Sequence, residues 1–168
     1  MSYVLYLVRH GIAEEPTLQT NDAERALTPD GRKRMKEAAQ GFAAISTLPT
    51  LILSSPLVRA RETAEILQSV AAPEAKLTIF EPLDNNHSME EIVAALPSGK
   101  AREIALVGHQ PSLGELASYL LTGSQALVPL PFKKGGMAAI SLSTLPPRVP
   151  GTLEWFLTPK QLRAAKPV

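Results

Sequence analysis

The chain has 168 residues, of which 45% are hydrophobic and 20% charged, and this composition is typical of one folded domain rather than of a disordered chain. Its 17 lysines and arginines nearly balance its 16 aspartates and glutamates. The formal net charge of +1 therefore excludes an overall basic field that would bind nucleic acid or an anionic membrane. The absence of cysteine excludes disulfides, thiol nucleophiles and thiolate metal sites, and it is typical of a cytoplasmic protein.

Six short apolar runs predict the strands of a sheet. The first four, at residues 3–8, 51–53, 77–80 and 103–107, predict buried strands. Three of these four are nearly all apolar rather than alternating, which suits a sheet that is covered on both faces. Two later runs, residues 138–142 and 152–157, predict closing strands. The first run lacks the basic start and the cleavage site of a signal peptide, and no run is long enough to predict a membrane helix.

Helical segments lie between these runs. Three helix starts are marked by a serine or threonine directly before a proline: Thr28-Pro29, Ser55-Pro56 and Thr158-Pro159. Two are marked by a serine with a glutamate three residues later, a possible capping box: Ser88 with Glu91 and Ser112 with Glu115. The last start, at Thr158, predicts a short helix over residues 159–166. The alternation of strand and helix predicts an α/β fold. We expect a single three-layer domain over residues 1–168, with a central, mostly parallel sheet flanked by helices.

The residues that carry chemistry follow three of the predicted strands. Arg9 and His10 follow the first strand, Arg59 lies on the helix after the second, and His109 follows the fourth. Chemistry in such sheets gathers beyond the carboxyl ends of the strands, so we expect these four side chains to meet. Each of them alone has an ordinary explanation, as a polar loop residue or a solvated helix residue. The functional prediction therefore depends on their joint placement.

Two arginines and two histidines are suited to phosphoryl transfer. Catalysis of that reaction is mostly positioning and electrostatic stabilisation, and the planar guanidinium binds phosphate oxygens in pairs. One histidine can act as a neutral nucleophile that forms a covalent intermediate, and neighbouring arginines would lower its pKa. A second, protonated histidine can bind the developing negative charge. No metal or other cofactor is required by this chemistry, and the sequence contains no motif that predicts one.

Three motifs resemble the histidine phosphatase superfamily, also called phosphoglycerate mutase-like. They are Leu-Val-Arg-His-Gly at residues 7–11, Ser-Pro-Leu-Val-Arg-Ala-Arg-Glu-Thr at residues 55–63, and Val-Gly-His at residues 107–109. The resemblance implies that His10 is the nucleophile, that Arg9 and Arg59 clamp the phosphate, and that His109 holds the phosphoryl oxygens. It also implies that Gly11 lets the backbone pass close to the phosphate.

Within that superfamily the short chain is similar to the compact SixA-type branch, the phosphohistidine phosphatases. The stretch Arg-Ala-Leu-Thr-Pro-Asp-Gly at residues 25–31 resembles a motif of that branch, which implies that Arg25 is a further phosphate ligand. The alternative for Arg25 is a surface residue just before a helix cap. The resemblance implies a cytoplasmic protein phosphatase whose partner is a histidine-phosphorylated protein, either a phosphotransfer domain or a phosphocarrier, with no nucleic acid or membrane partner.

A carboxylic acid that protonates the leaving group is the weakest part of this resemblance. Glu81 and Asp84 follow the third strand and are the candidates, with a plain polar loop as the alternative. Imidazole can leave phosphorus as a neutral molecule, whereas an alkoxide needs a proton, so a missing acid favours phosphohistidine as substrate. The alternative activity is a broad-specificity phosphomonoesterase that acts on small molecules. A catalytically inactive phosphate-binding module is a third alternative.

Overall fold

A six-stranded mixed sheet forms the centre of the protein in a computed structural model that describes residues 2–168. Its strands are β1 (Tyr3–Arg9), β2 (Leu51–Ser54), β3 (Lys76–Ile79), β4 (Glu103–Gly108), β5 (Met137–Leu142) and β6 (Thr152–Leu157). They lie in the order β3-β2-β4-β1-β5-β6. The first four strands are parallel and the last two are antiparallel, so the prediction of a mostly parallel sheet is confirmed.

Five helices cover the two faces of this sheet. They are α1 (Pro29–Ile45), α2 (Val58–Ala71), α3 (Met89–Ala95), α4 (Ser112–Thr122) and α5 (Pro159–Ala164). Two single-turn 3₁₀ helices, Asp22–Glu24 and Glu81–Leu83, lie in the connections. Three of the predicted starts are as expected: the Thr28 hydroxyl caps α1, the Thr158 hydroxyl caps α5, and Ser88 forms a reciprocal capping box with Glu91 on α3.

Alternate residues of the central strands fill two separate cores. Leu5 and Leu7 of β1 point into one core, which α3 and α4 cover. Tyr6 and Val8 point into the other, which α1, α2 and α5 cover. A strand buried on both faces must be apolar at every position, which explains the uninterrupted runs in the sequence. The predicted three-layer architecture is thereby confirmed.

Three details of the predicted elements were wrong. Strand β3 lies at the edge of the sheet and is largely exposed, not buried. Helix α2 begins at Val58 without a side-chain cap, because Leu57 occupies the cap position and Ser55 lies two residues before it. Helix α4 also lacks its predicted capping box: Ser112 is its first residue, and the Ser112 hydroxyl donates to the side-chain oxygen of Asn85 at 2.7 Å.

The register of the sheet places three loop entries side by side. Arg9 of β1 pairs with Gly108 of β4, and Ser54 of β2 pairs with Val107. The backbone ladder continues one step further, because the N–H of His10 donates to the Gly108 carbonyl at 3.1 Å. Residues that are far apart in sequence therefore leave the sheet at the same edge.

Candidate active site

His10 and His109 lie next to each other at the carboxyl edge of the sheet. Their ring centroids are 5.2 Å apart, with an angle of 52° between the ring planes. Both residues are buried, with 6% of His10 and 2% of His109 exposed. Strand β4 sets this spacing, since it lies directly beside β1 and each histidine follows its own strand.

Two contacts determine which nitrogen of His10 carries the proton. The Nδ1 atom lies 2.7 Å from the carbonyl oxygen of Gly11, which can only accept, so Nδ1 is the protonated nitrogen of the neutral ring. The Nε of Arg59 donates to His10 Nε2 at 3.4 Å, so Nε2 presents a lone pair. Burial lowers the pKa of His10 to about 3, and the charges of Arg59 and Arg9 act in the same direction. At neutral pH, His10 is thus an uncharged imidazole whose Nε2 can act as a nucleophile.

Arg59 is held in the first turn of α2 and is 6% exposed, so the alternative of a solvated helix residue is wrong. Besides its contact with His10, its guanidinium donates to the Asp22 carbonyl at 2.8 Å and to the Asp22 carboxylate at 3.2 Å. The main chain is tied here as well, because the Thr63 hydroxyl donates to the Arg59 carbonyl and accepts from the Gly11 N–H. The guanidinium therefore has little freedom to rotate.

Arg25 reaches the same cluster through Asp22. Its Nε donates to the Asp22 carboxylate at 2.9 Å, and its NH1 donates to the Glu14 carbonyl at 2.8 Å. Arg25 and Arg59 therefore share one carboxylate, which lies where two cationic side chains converge. The Arg25 side chain is 18% exposed, so it lies at the border of the cluster.

Arg9, the last residue of β1, is anchored by the segment between α4 and β5. Its NH1 donates to the carbonyl of Phe132 at 2.7 Å, which points the guanidinium toward the segment after α4. Gly135 fastens this segment to the end of β1, since its N–H lies 3.1 Å from the Arg9 carbonyl and 3.0 Å from that of His10. Gly135 has φ +83°, a conformation that other residues rarely adopt. The segment at residues 132–136 therefore borders the site.

His109 differs from the expectation of a protonated partner. Its pKa is lowered to about 4, chiefly by burial and also by the charges of Arg59 and Arg9, whereas the charges of Asp22 and Asp84 raise it. His109 is therefore neutral at physiological pH in the free protein. Its Nε2 lies 2.6 Å from the hydroxyl oxygen of Ser55, a contact that the sequence did not predict.

The structure argues against both candidate acids. Although partial burial raises the pKa of Asp84, hydrogen bonds from Asn86 and His87 outweigh that effect and lower the pKa overall. Asp84 is thus held as a carboxylate, which is the wrong protonation state for a proton donor. Glu81 is exposed on its 3₁₀ helix, and no hydrogen bond from another described residue orients its side chain.

The depressed pKa values of the two buried histidines predict a specific loss of stability in mild acid. Below about pH 6.5 the unfolded chain binds protons at His10 and His109, whereas the folded chain does not until their pKa values of about 3 and about 4 are reached. The free energy of unfolding therefore falls as pH is lowered through this window, by roughly 1 kcal/mol per pH unit for each histidine.

Urea denaturation at pH 7 and pH 5 measures this effect, with a His10→Asn variant as the control. The variant removes one of the two protonation sites, so its loss of stability between these pH values is expected to be about 2 kcal/mol smaller than that of the wild type. Equal losses in the two proteins would show that His10 titrates normally in the folded state.

The described residues also show whether the fold carries a metal site or a membrane-spanning helix. Within residues 2–168, no group of three or more His, Asp or Glu side chains is arranged to hold a metal ion. No helix in the same range is both long and apolar enough to cross a membrane. The convergent features are three arginines and two neutral histidines, a set that suits a tetrahedral anion with several oxygens.

Comparison with known proteins agrees with this geometry. Residues 5–87 match the model of the histidine phosphatase superfamily, branch 1. An uncharacterized protein of Picosynechococcus sp. (strain PCC 7002) is 37% identical over 140 residues, which cover 81% of this chain and 83% of that protein.

Two solved structures share the fold. A protein histidine phosphatase SixA, solved in complex with tungstate, superposes with a TM-score of 0.82 at 22% identity, covering 95% of this chain and 99% of that chain. A mycobacterial glucosyl-3-phosphoglycerate phosphatase superposes with a TM-score of 0.67 at 18% identity, covering 94% of this chain and 100% of the other. These two structures show the shared fold. The family match and the relative from Picosynechococcus show that the chain belongs to branch 1 of the histidine phosphatase superfamily.

Proposed function

We propose that the protein removes the phosphoryl group from phosphohistidine on other proteins, through a covalent phosphohistidine intermediate at His10. The observation that carries this proposal is the neutral His10, whose unprotonated Nε2 lies 3.4 Å from the Arg59 Nε while its Nδ1–H is bonded to a carbonyl. A neutral imidazole held in one tautomer beside a guanidinium is prepared to attack phosphorus without first losing a proton.

The reaction consists of two displacements at phosphorus. In the first, His10 Nε2 forms a bond to phosphorus while the P–N bond to the substrate imidazole breaks and its electron pair stays on that imidazole. In the second, water attacks the same phosphorus, the bond to Nε2 breaks, and inorganic phosphate is released. Arg59, Arg9 and Arg25 supply the positive charge that stabilises the phosphoryl oxygens in both steps.

The leaving group distinguishes phosphohistidine from an alkyl phosphate. A phosphoimidazole whose other nitrogen is protonated departs as neutral imidazole, so no acid has to act on it. An alkoxide must be protonated as it leaves, which requires a positioned acid. Asp84 is held as a carboxylate and Glu81 is exposed, so neither residue is set up to supply that proton. This supports an N–P substrate.

The elements around the site also suit a substrate that is itself a folded protein. The connections at this edge of the sheet are short after β2 and β4, where three residues each precede α2 and α4. The longer segments at this edge are residues 10–28, 80–88 and 123–136. We therefore propose a phosphotransfer domain or a phosphocarrier protein as the partner, and the cytoplasm as the compartment.

Leaving-group dependence tests the proposal. A protein phosphorylated on histidine, p-nitrophenyl phosphate and a set of alkyl phosphates would be compared by their kcat/KM values. Phosphohistidine is expected to exceed alkyl phosphates by on the order of 10²-fold or more, because the esters lack an acid catalyst. Alkyl phosphates that react as fast as phosphohistidine would overturn the proposal and favour a broad-specificity phosphomonoesterase.

A further inference from the structure

The Ser55 side chain contacts the imidazole of His109. It is fully buried, and its Oγ is 2.6 Å from His109 Nε2. Its main chain is fixed as well, because the Ser55 N–H donates to the Val107 carbonyl at 2.9 Å, which extends the ladder between β2 and β4. The hydroxyl and the imidazole are therefore carried by neighbouring strands of one rigid sheet.

The hydrogen bonds of the hydroxyl decide the direction of this contact. The Leu57 N–H donates to Ser55 Oγ at 3.3 Å, so the oxygen already acts as an acceptor there. The hydroxyl proton needs an acceptor of its own, since a buried donor without a partner is costly. Among the described residues, His109 Nε2 is the one hydrogen-bond acceptor that this hydroxyl contacts. The hydroxyl therefore donates, and Nε2 accepts.

This direction also determines whether the other ring nitrogen of His109, Nδ1, carries a proton. A neutral imidazole that accepts at Nε2 carries its proton on Nδ1. His109 Nδ1 is buried and makes no hydrogen bond to any described residue, although its ring lies 5.2 Å from that of His10. This N–H is thus a donor in the immediate neighbourhood of the nucleophile, where a phosphoryl group attached to His10 Nε2 would have its oxygens.

We propose that Ser55 is a positioning residue that fixes the tautomer of His109, so that the Nδ1–H of His109 donates to the phosphoryl oxygens. The activity part of this proposal rests on the proposed phosphatase reaction, whereas the tautomer itself does not. Without the Ser55 hydroxyl, Nε2 and Nδ1 compete for the single proton, and part of the protein would present a lone pair to the phosphoryl oxygens. A lone pair repels those oxygens, so that fraction of the protein would be inactive.

Nitrogen NMR of the histidine side chains tests the tautomer directly. Wild-type protein labelled with ¹⁵N is expected to show a protonated Nδ1 and an unprotonated Nε2 at His109 near neutral pH. The Ser55→Ala variant is expected to show a mixture of the two tautomers. A wild-type His109 with its proton on Nε2 would overturn the proposal, and this result needs no variant and no substrate.

Kinetics of matched variants tests the consequence. In Ser55→Ala, kcat is expected to fall by about 10- to 100-fold with little change in KM, because the lost donor acts on charge that develops in the transition state. Ser55→Thr keeps a hydroxyl and should recover most of kcat. The control is Ser54→Ala, which removes an equally buried neighbouring hydroxyl that donates to the Ser55 carbonyl at 2.9 Å instead of to a histidine.

The outcomes separate this proposal from the proposed function. A Ser55→Ala variant that keeps the wild-type tautomer, or that keeps kcat within twofold of the wild type, contradicts the role of Ser55. An equal loss of kcat in Ser54→Ala would also contradict the role of Ser55, because the loss would then come from altered packing at the end of β2. A wild-type protein that hydrolyses no phosphohistidine substrate contradicts the proposed function, while the NMR result still decides the tautomer.

Discussion

Replacing His10 by asparagine is expected to abolish turnover of a phosphohistidine protein, with a loss of kcat on the order of 10⁴-fold or more. The amide has a similar size and can still donate to the Gly11 carbonyl, but it has no nucleophilic nitrogen in place of Nε2. The variant should also fail to form an acid-labile phosphoenzyme when it is mixed with labelled substrate and quenched in base. Single-turnover kinetics and trapping of the labelled protein measure the two effects.

His87→Asn is the matched control for this experiment. It removes the third histidine of the chain, whose Nδ1 bonds to Asp84 and whose side chain is 34% exposed. We expect it to keep kcat within about threefold of the wild type, as is typical of changes at partly exposed side chains. If the His10→Asn variant formed as much labelled phosphoenzyme as the wild type, the phosphoryl group would be attached to a residue other than His10.

Arg59→Lys is expected to lower kcat/KM by about 10²- to 10³-fold, although the positive charge is kept. One guanidinium contacts His10 with its Nε and Asp22 with its two terminal nitrogens, and a single ammonium cannot reproduce that geometry. Steady-state kinetics with a phosphohistidine protein would measure the loss. Binding of vanadate or inorganic phosphate, followed by calorimetry, should weaken in parallel.

The same substitution two residues further along α2 is the control. Arg61 is about half exposed, and among the described residues it pairs with Glu65 alone, at 3.6 Å on the surface of the helix. Arg61→Lys should therefore change kcat/KM by less than about twofold, since exposed ion pairs contribute little. If the two variants behaved alike, the loss at position 59 would reflect overall charge and not the placement of its guanidinium.

The strands and most helices were predictable because their signals are local. A strand buried on both faces has to be apolar at each position, and a helix start needs a capping oxygen, as at Thr28 and Ser88. Strand β3 was misjudged as buried because its position at the edge depends on the order of the whole sheet. Apolar residues in so short a run do not reveal whether a second layer covers them.

The ionisable residues of the site were predictable in part, because each follows a strand whose carboxyl end borders one edge of the sheet. The residues that orient them were not. Ser55 has the sequence signature of a helix cap, and its true partner is 54 residues away. Asp22 lies in a loop with no motif of its own, and its role emerges only when Arg25 and Arg59 are seen on either side of its carboxylate. Pairings of this kind depend on tertiary contacts, which a single sequence does not display.

The central position of β4 determines when the candidate active site can first form during synthesis. Strands β1 and β2 are both hydrogen-bonded to β4 and not to each other. A nascent chain that has emerged only as far as residue 87 already carries His10, Ser55 and Arg59, but it has no strand to bridge them. Pairing between segments so distant in the chain is slow compared with local helix formation. The site therefore forms late, because residues 103–109 must first pair with both β1 and β2, and residues 132–136 must then reach Arg9 and His10.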